Sequence, residues 1–279
     1  MLKYIKGGRK NVKEKLKAFF EEQKIEYFSV LPLSECRLTK PHLLKKAGIS
    51  SGAVIIYLLP YYTGECENIS CYAASRDYHL LLKTVGEGVL NLISCELGAR
   101  AAAFGDHSPI DERDAAARAG LGIIGDSGLL INKKYGSYVF IGEVITDADS
   151  ALFDAQDPTR VEFCEHCGAC KEACPIGKTG TCLSGLTQKK GEFSKEEAEI
   201  IKQYGSAWGC DICSAACPHN ANPIPTPIDF FYIDRIPKLT SDAVLKMSED
   251  FFAERAYSWR GIEPILRNLK ILEDANREE

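Results

Sequence analysis

Residues 10–23, KNVKEKLKAFFEEQ, set Val12, Leu16 and Phe19 or Phe20 at helical spacing, which predicts an amphipathic helix. AVIIYLL at 53–59 is apolar without alternation and stops at Pro60, the pattern of a strand covered on both faces. Over 77–97, Leu81, Val85, Val89 and Leu92 recur at spacings of four, four and three and predict a second helix. ARAAAF at 99–104, closed by Gly105, and SYVFIGEVI at 137–145 read as strands. DERDAAARA at 111–119 reads as an alanine-rich helix ending at Gly120. Beyond about residue 156 the periodicity fades while cysteine, glycine and proline rise. NPIPTPI at 222–228 is a proline-punctuated connector, and 241–271 reads as helical again. The pattern predicts an α+β protein with an α/β domain over 1–155, a small metal-bound domain over 156–228 and a helical segment over 229–279.

Composition changes this picture at one place. The chain has 279 residues, 45% hydrophobic and 26% charged, with net charge −5, so it has no broad basic footprint. No apolar run is long enough to span a bilayer, and the N-terminal MLKYIKGGRKNVKEKL has no signal-peptide core. These features predict a cytoplasmic protein with no membrane partner. In that compartment disulfides rarely persist, and clustered cysteines bind metal or do catalysis. Of the twelve cysteines, eight lie between Cys164 and Cys217; Cys36, Cys66, Cys71 and Cys95 are scattered and read as small packing residues.

CEHCGACKEACP, from Cys164 to Pro175, is C-x2-C-x2-C-x3-C-P. In the bacterial two-cluster pattern the first three cysteines bind one [4Fe–4S] cubane and the fourth binds the other. A second set is therefore required, and Cys182 with WGCDICSAACP supplies it. The spacing predicts Cys164, Cys167, Cys170 and Cys217 on one cluster, and Cys174, Cys182, Cys210 and Cys213 on the other. Four-thiolate zinc is the alternative, but this spacing crowds the ligands too closely for one zinc hairpin. His166 and His219 lie inside the motifs and read as neighbours rather than ligands. Two interleaved clusters make an electron wire, and the preceding 155 or so residues need a use beyond it.

GLGIIG, Gly120 to Gly125, matches G-x-G-x-x-G in letters alone. A dinucleotide fingerprint needs a strand before it and a helix after it. Here a predicted helix precedes it and DSGLLIN follows, so nicotinamide binding is not expected.

Several motifs together resemble the epoxyqueuosine reductases. DHSPIDERDAAARAGLGIIGDSGLLINKKYGSYVFIGEVITD at 106–147 is similar to that family's D-x-x-P-x-x-(D/E)-R, AGLG-x-x-G and GS-(Y/F)-x-(F/Y)-(L/I)-GE-(I/L) segments. YAASRDYH at 72–79, WGCDICSAACPHN and WRGIEPILRN at 259–268 resemble further family segments in order. The resemblance implies a reductase that converts an epoxide on a tRNA wobble base to queuosine with cobalamin and two [4Fe–4S] clusters. It makes the first domain corrinoid-binding, like that of reductive dehalogenases, and the second a two-cluster ferredoxin-like domain. The implied electron route runs from an external low-potential donor of the flavodoxin or ferredoxin type, through the clusters, to cobalt. The tRNA anticodon loop is the implied partner.

The resemblance also implies site residues. Asp106 matches the acid that protonates the leaving oxygen; a turn or helix-capping role ahead of Pro109 is its alternative. A carboxyl beside a corrin and partly dry has a raised pKa and can donate near neutrality. Tyr72, Asp77, Tyr78, His79, Arg113, Gly122 and Gly125 are the expected cofactor contacts. For Tyr78 core packing is the alternative, and for Arg113 a salt bridge in a helix-start cluster with Asp111 and Glu112. The family holds its cofactor without an axial histidine, which argues against that role for His79. The chain departs from the family in two places. Asp126-Ser127 stands where the family usually has Lys-Asn, and the chain stops at Glu279, where the reductases often continue into helical repeats that grip tRNA. The resemblance is thus to a short form. The alternatives are a related corrinoid and iron–sulfur reductase for a small molecule such as an organohalide, and a ferredoxin-type electron-transfer partner.

Overall fold

The computed structural model describes residues 5–176 and 182–278. The chain divides into two compact units. The first takes the chain up to Pro60 and again Leu81–His166; the second takes Tyr61–Leu80 and the chain from Cys167 onward.

The first unit is built on one antiparallel sheet. Its strands are β1 (Phe28–Pro32), β2 (Ala53–Pro60), β3 (Ala101–Phe104) and β6 (Val139–Thr146), in the order β1-β2-β6-β3. A separate hairpin pairs β4 (Ile123–Ile124) with β5 (Leu130–Ile131). The helices are α1 (Ile5–Glu22), α2 (Pro41–Ala47), α3 (Tyr78–Leu97) and α4 (Glu112–Arg118). All eight residues of β2 are buried, because helices cover both faces of the sheet. One face packs against α1 and α3: Val12, Leu16 and Phe20 are buried, the Phe20 ring lies 5.4 Å from Tyr57, and Val85, Val89 and Ile93 are fully buried. On the other face, Val54, Ile56, Leu58 and Ile145 pack with Leu44 and with Ala115, Ala116 and Ala117 of α4. The alanines let that helix approach the sheet closely. The antiparallel pairing makes the whole chain α+β.

The second unit holds the short helices α5 (Ala169–Ala173), α6 (Leu183–Thr187), α7 (Lys195–Tyr204), α8 (Ile212–Ala215), α9 (Ser241–Leu245), α10 (Glu249–Ala253) and the longer α11 (Glu263–Glu278). It has no regular strand among its described residues, only isolated bridges such as Ile69 with Trp208. The segment 241–271, helical throughout by sequence, is broken instead. Thr240 and Ser248 each accept a backbone N–H as helix caps, and Gly261 at φ +85° interrupts the chain before α11. The core is Trp208, Tyr257, Ile201, Leu183, Ile265 and Leu269 with Ile69 and Ala73. The Trp208 indole N–H donates to the Tyr72 hydroxyl at 2.9 Å. In the RN segment, the Asn268 amide donates to the Thr187 and Ala207 carbonyls, while the Arg267 guanidinium stacks on Phe193 at 3.4 Å.

Candidate functional site

In the first unit, the loop between β3 and α4 carries Asp106 in the left-handed region at φ +58°, a conformation Asp and Asn tolerate better than most residues. Its side chain is exposed. The helix cap is Asp111, not Asp106. Asp111 accepts the Asp114 N–H at 3.2 Å and pairs with Arg37, which holds its carboxyl below the ordinary range against the opposing effect of burial. Glu112, one residue on, turns inward. Burial first, and the Asp106 charge second, push its carboxyl from the ordinary 4.5 to about 7, while the Asp106 backbone N–H that it accepts opposes the rise. The Asp106 segment thus abuts a carboxyl that keeps its proton close to neutral pH.

Behind Glu112 lies a second carboxyl. Glu143 on β6 is fully buried opposite Ile56 and Phe104, and it accepts the Ser108 hydroxyl. Burial, then the nearness of Glu112, raises its pKa well above the ordinary value. Glu112 Oε1 and Glu143 Oε2 are buried with no hydrogen-bond partner among the described residues. Cys36 packs on the same side, its thiol pushed up to about 12 by burial and then by Glu143. Sequence reasoning took Glu112 for a helix-start charge and missed Glu143. The available signal was one acidic residue inside the otherwise apolar VFIGEVIT.

A carboxyl with a raised folded-state pKa stabilises the fold below its ordinary pKa, and that stability is lost as pH rises through the folded value. For Glu112 the window runs from about pH 4.5 to about pH 7 and the loss is on the order of 3 kcal/mol. Thermal melts across this window should therefore fall for the wild type. They should fall less for Glu112→Gln, with a remainder from Glu143. Parallel slopes would mean that Glu112 is not the group titrating.

The glycine-rich segment follows a helix and forms the β4–β5 hairpin, as its context predicted, with no helix after it. A Cβ on Gly122 would lie 2.5 Å from the Ile131 carbonyl oxygen, and one on Gly125 would lie 2.8 Å from the Ile131 side chain. The close backbone approach requires Gly122, whereas at Gly125 the Ile131 methyl would have to shift. The Arg113 guanidinium donates to the Gly128 carbonyl at 2.6 Å and so braces the same turn. Asp126, the residue that departs from the family pattern, donates its backbone N–H to Cys164 Sγ at 3.3 Å and holds His166 Nδ1 at 2.7 Å. The sulfur of Cys164, the His166 ring and the Asp126 carboxylate lie within 4.8 Å of one another. His166 therefore lies beside Cys164, and it is exposed.

In the second unit, Asp77 Oδ1 accepts the His79 backbone N–H at 3.0 Å and lies 2.8 Å from His79 Nδ1. The exposed His79 ring stacks on Tyr78 at 4.2 Å, and Tyr78 meets Tyr72 edge-on at 6.5 Å. The thiols converge further along. Cys170 lies in α5, Cys174 ends it and Cys213 lies in α8, which packs against α5. Burial raises the Cys213 thiol, and the charges of Cys182, Cys174 and Cys170 raise it further. Cys210 is pushed up to about 11 by burial, with Cys213, Asp211 and Cys182 adding to the rise. Cys170, Cys174, Cys182, Cys210 and Cys213 therefore lie close to one another in this unit. Cys167, Cys182 and His219 are exposed, and Cys217 is half-buried.

No family model matches the chain. Comparison with known proteins is nonetheless decisive. An epoxyqueuosine reductase of Leadbetterella byssophila is 31% identical over 239 residues, covering 80% of this chain and 77% of that protein. The chain belongs to the epoxyqueuosine reductase family. Another epoxyqueuosine reductase, from Gloeobacter violaceus, is 36% identical over 60% of this chain, and one from Lactococcus garvieae is 32% identical over 70%. Those matches span 56% and 58% of the relatives' own lengths, little more than half. Solved epoxyqueuosine reductases share the fold. The Streptococcus thermophilus structure has TM-score 0.72 at 24% identity, covering 95% of this chain and 82% of that one. The Bacillus subtilis structure, described with an aspartate catalytic loop swung out of the active site, has TM-score 0.73 at 20% identity over 97% and 84%. A crystal structure of epoxyqueuosine reductase with an epoxyqueuosine-modified tRNA stem loop has TM-score 0.74 at 21% identity over 95% and 81%. No helix among the described residues is long and apolar enough to cross a membrane.

Proposed function

We propose that this protein is an oxidoreductase that reduces the epoxide of epoxyqueuosine in tRNA, drawing electrons from two [4Fe–4S] clusters. The observation that carries this reading is the family match over 77% of the Leadbetterella byssophila reductase. The names of the reported relatives favour a tRNA substrate over an organohalide or a pure electron carrier. A tRNA substrate puts the reaction in the cytoplasm, with the anticodon loop as partner and a flavodoxin- or ferredoxin-type protein as electron donor.

The thiol set fits a cluster. Cys174 and Cys182 lie near enough to Cys213, and Cys182 near enough to Cys210, for their charges to act there, an arrangement that a cationic iron core can take as thiolates. Cys164, Cys167, Cys170 and Cys217 hold the other cluster on the strength of the C-x2-C-x2-C spacing. Together they give the two-cluster ferredoxin-like layout that the proposal requires. When bound, the clusters supply single electrons.

Cobalamin is the second cofactor by family resemblance. Several of the residues that the resemblance offers for it have structural roles within their own units. Gly122 and Gly125 serve the hairpin, Arg113 braces Gly128, and the Tyr72 hydroxyl takes the Trp208 N–H. We derive no step through it.

Asp106 is the proposed acid. Its exposed position leaves it open to substrate, and an aspartate marks the catalytic loop described for the Bacillus subtilis relative. Glu112 beside it, raised to about 7 by burial and then by the Asp106 charge, holds a proton near neutral pH that the pair can pass to the leaving oxygen through Asp106, with water restoring it to Glu112.

The test is turnover. Anaerobic protein loaded with iron, sulfide and cobalamin and given a low-potential reductant should convert an epoxyqueuosine-bearing anticodon stem-loop to its queuosine form. Failure on the stem-loop with dehalogenation of an aryl halide would transfer the activity to small molecules.

A further inference from the structure

The geometry points to a redox-active dithiol at Cys66 and Cys71, in which Cys66 attacks a small disulfide and Cys71 closes an intramolecular one. Both residues lie in the second unit, separated by four residues in CENISC and outside the eight motif cysteines in sequence. The proposal is independent of the reduction described above.

Three observations converge on this pair. First, the two thiols share one acceptor: both sulfurs approach the Gly64 carbonyl oxygen, at 3.9 Å for Cys66 and 3.7 Å for Cys71. Gly64 sits at φ +114°, a conformation open to glycine and little else, so the turn that aims this carbonyl is a built feature. Second, a cation is fixed at one sulfur only. Arg235 Nη2 lies 3.6 Å from Cys66 Sγ, and the guanidinium is held there by the Glu65 carbonyl at 2.6 Å and the Thr63 hydroxyl at 2.8 Å. Third, the roles are unequal. The Cys71 hydrogen bond, then Arg235, lower the Cys66 thiol despite burial; the Cys66 hydrogen bond, burial and Asp211 raise Cys71 far above the ordinary range. Half-buried Cys66 is the attacking thiolate and buried Cys71 the resolving thiol. Tyr62, itself raised by burial, by both sulfurs and by Glu65, faces the pair, and Asp211 opposes the lowering of Cys66.

The chemistry is thiol–disulfide exchange. The Cys66 thiolate bonds to one sulfur of a small disulfide such as glutathione disulfide, the S–S bond breaks, and one small thiolate leaves and takes a proton from water. Cys71 then loses its proton and attacks the Cys66 sulfur, expelling the second small thiol. Two protein thiols are oxidised by two electrons, and one small disulfide is reduced to two thiols.

The pair is wired to the metal-binding segment. The Cys71 backbone N–H donates to Asp211 Oδ2 and the Ser70 hydroxyl to Asp211 Oδ1, both at 2.6 Å, and the Ser70 N–H donates to the Trp208 carbonyl. Asp211 stands between Cys210 and Cys213, so the redox state of the loop is felt where those ligands are held.

The test uses anaerobic holoprotein equilibrated in glutathione buffers of rising disulfide content, trapped with an alkylating agent and mapped by peptide mass. We expect one peptide joining Cys66 to Cys71, lighter by two hydrogens, to appear as their alkylated forms disappear together while iron is retained. Cys71→Ser should instead accumulate a glutathione adduct on Cys66, and Cys66→Ser should leave Cys71 alkylatable throughout. Arg235→Gln should slow Cys66 alkylation at neutral pH several-fold. Both cysteines remaining fully alkylatable in excess disulfide would overturn the proposal, and so would an adduct that forms on Cys71 in preference to Cys66. Because the readout is peptide mass, neither result depends on whether the protein turns over epoxyqueuosine.

Discussion

Asp106→Asn should lower turnover of the epoxyqueuosine stem-loop by about 10²–10⁴-fold, with iron content and melting temperature unchanged. Asparagine is the informative replacement. Asp106 sits at φ +58°, which asparagine tolerates as well as aspartate, so the loop keeps its shape. The amide accepts and donates hydrogen bonds but has no acidic proton for a leaving oxygen. The substitution also removes the charge that helps to raise Glu112, so the Glu112 pKa should fall towards its ordinary range. Wild-type turnover in this variant would remove Asp106 from the mechanism.

Cys213→Ser should abolish turnover and lower the melting temperature of the holoprotein. Cys213 lies in α8 with Cys182, Cys174 and Cys170 as the charges acting on it, so its loss deprives the proposed second cluster of an inner ligand. A serine hydroxyl does not ionise at neutral pH and is a poor iron ligand. Metal affinity here is folding free energy, because the second unit has no regular strand among its described residues and its short helices α5, α6 and α8 lean on the ligand segments. About four irons per chain should be lost with the cluster. A variant that keeps full turnover and its melting temperature would exclude Cys213 as a ligand.

The elements with strong periodicity were legible in the sequence. The uninterrupted apolar run became β2 and the four-residue spacing became α3, because burial on both faces and on one face leave different patterns. Strand β1 was missed: FSVLP is short, only two of its five residues are buried, and it ends in proline. No local pattern marks Tyr61–Leu80 as part of the second unit, since that depends on long-range pairings such as Ser70 N–H to the Trp208 carbonyl. At the site, the letters of D-x-x-P pointed to Asp106, and the helix expected before GLGIIG is present, with a hairpin after it. The inward turn of Glu112 towards Glu143 was invisible, because the packing of α4 against β6 brings those carboxyls together and sequence spacing does not. Cys66 and Cys71 read as packing residues for the same reason: Arg235, which gives the pair its chemistry, is distant in sequence.

The account depends most on what the clustered thiolates hold. Iron, acid-labile sulfide and zinc should be measured together on anaerobically purified protein. About eight irons and about eight sulfides per chain, with negligible zinc, are the predicted result. Stoichiometric zinc with no sulfide would contradict it, leaving the chain without an electron source for any reduction.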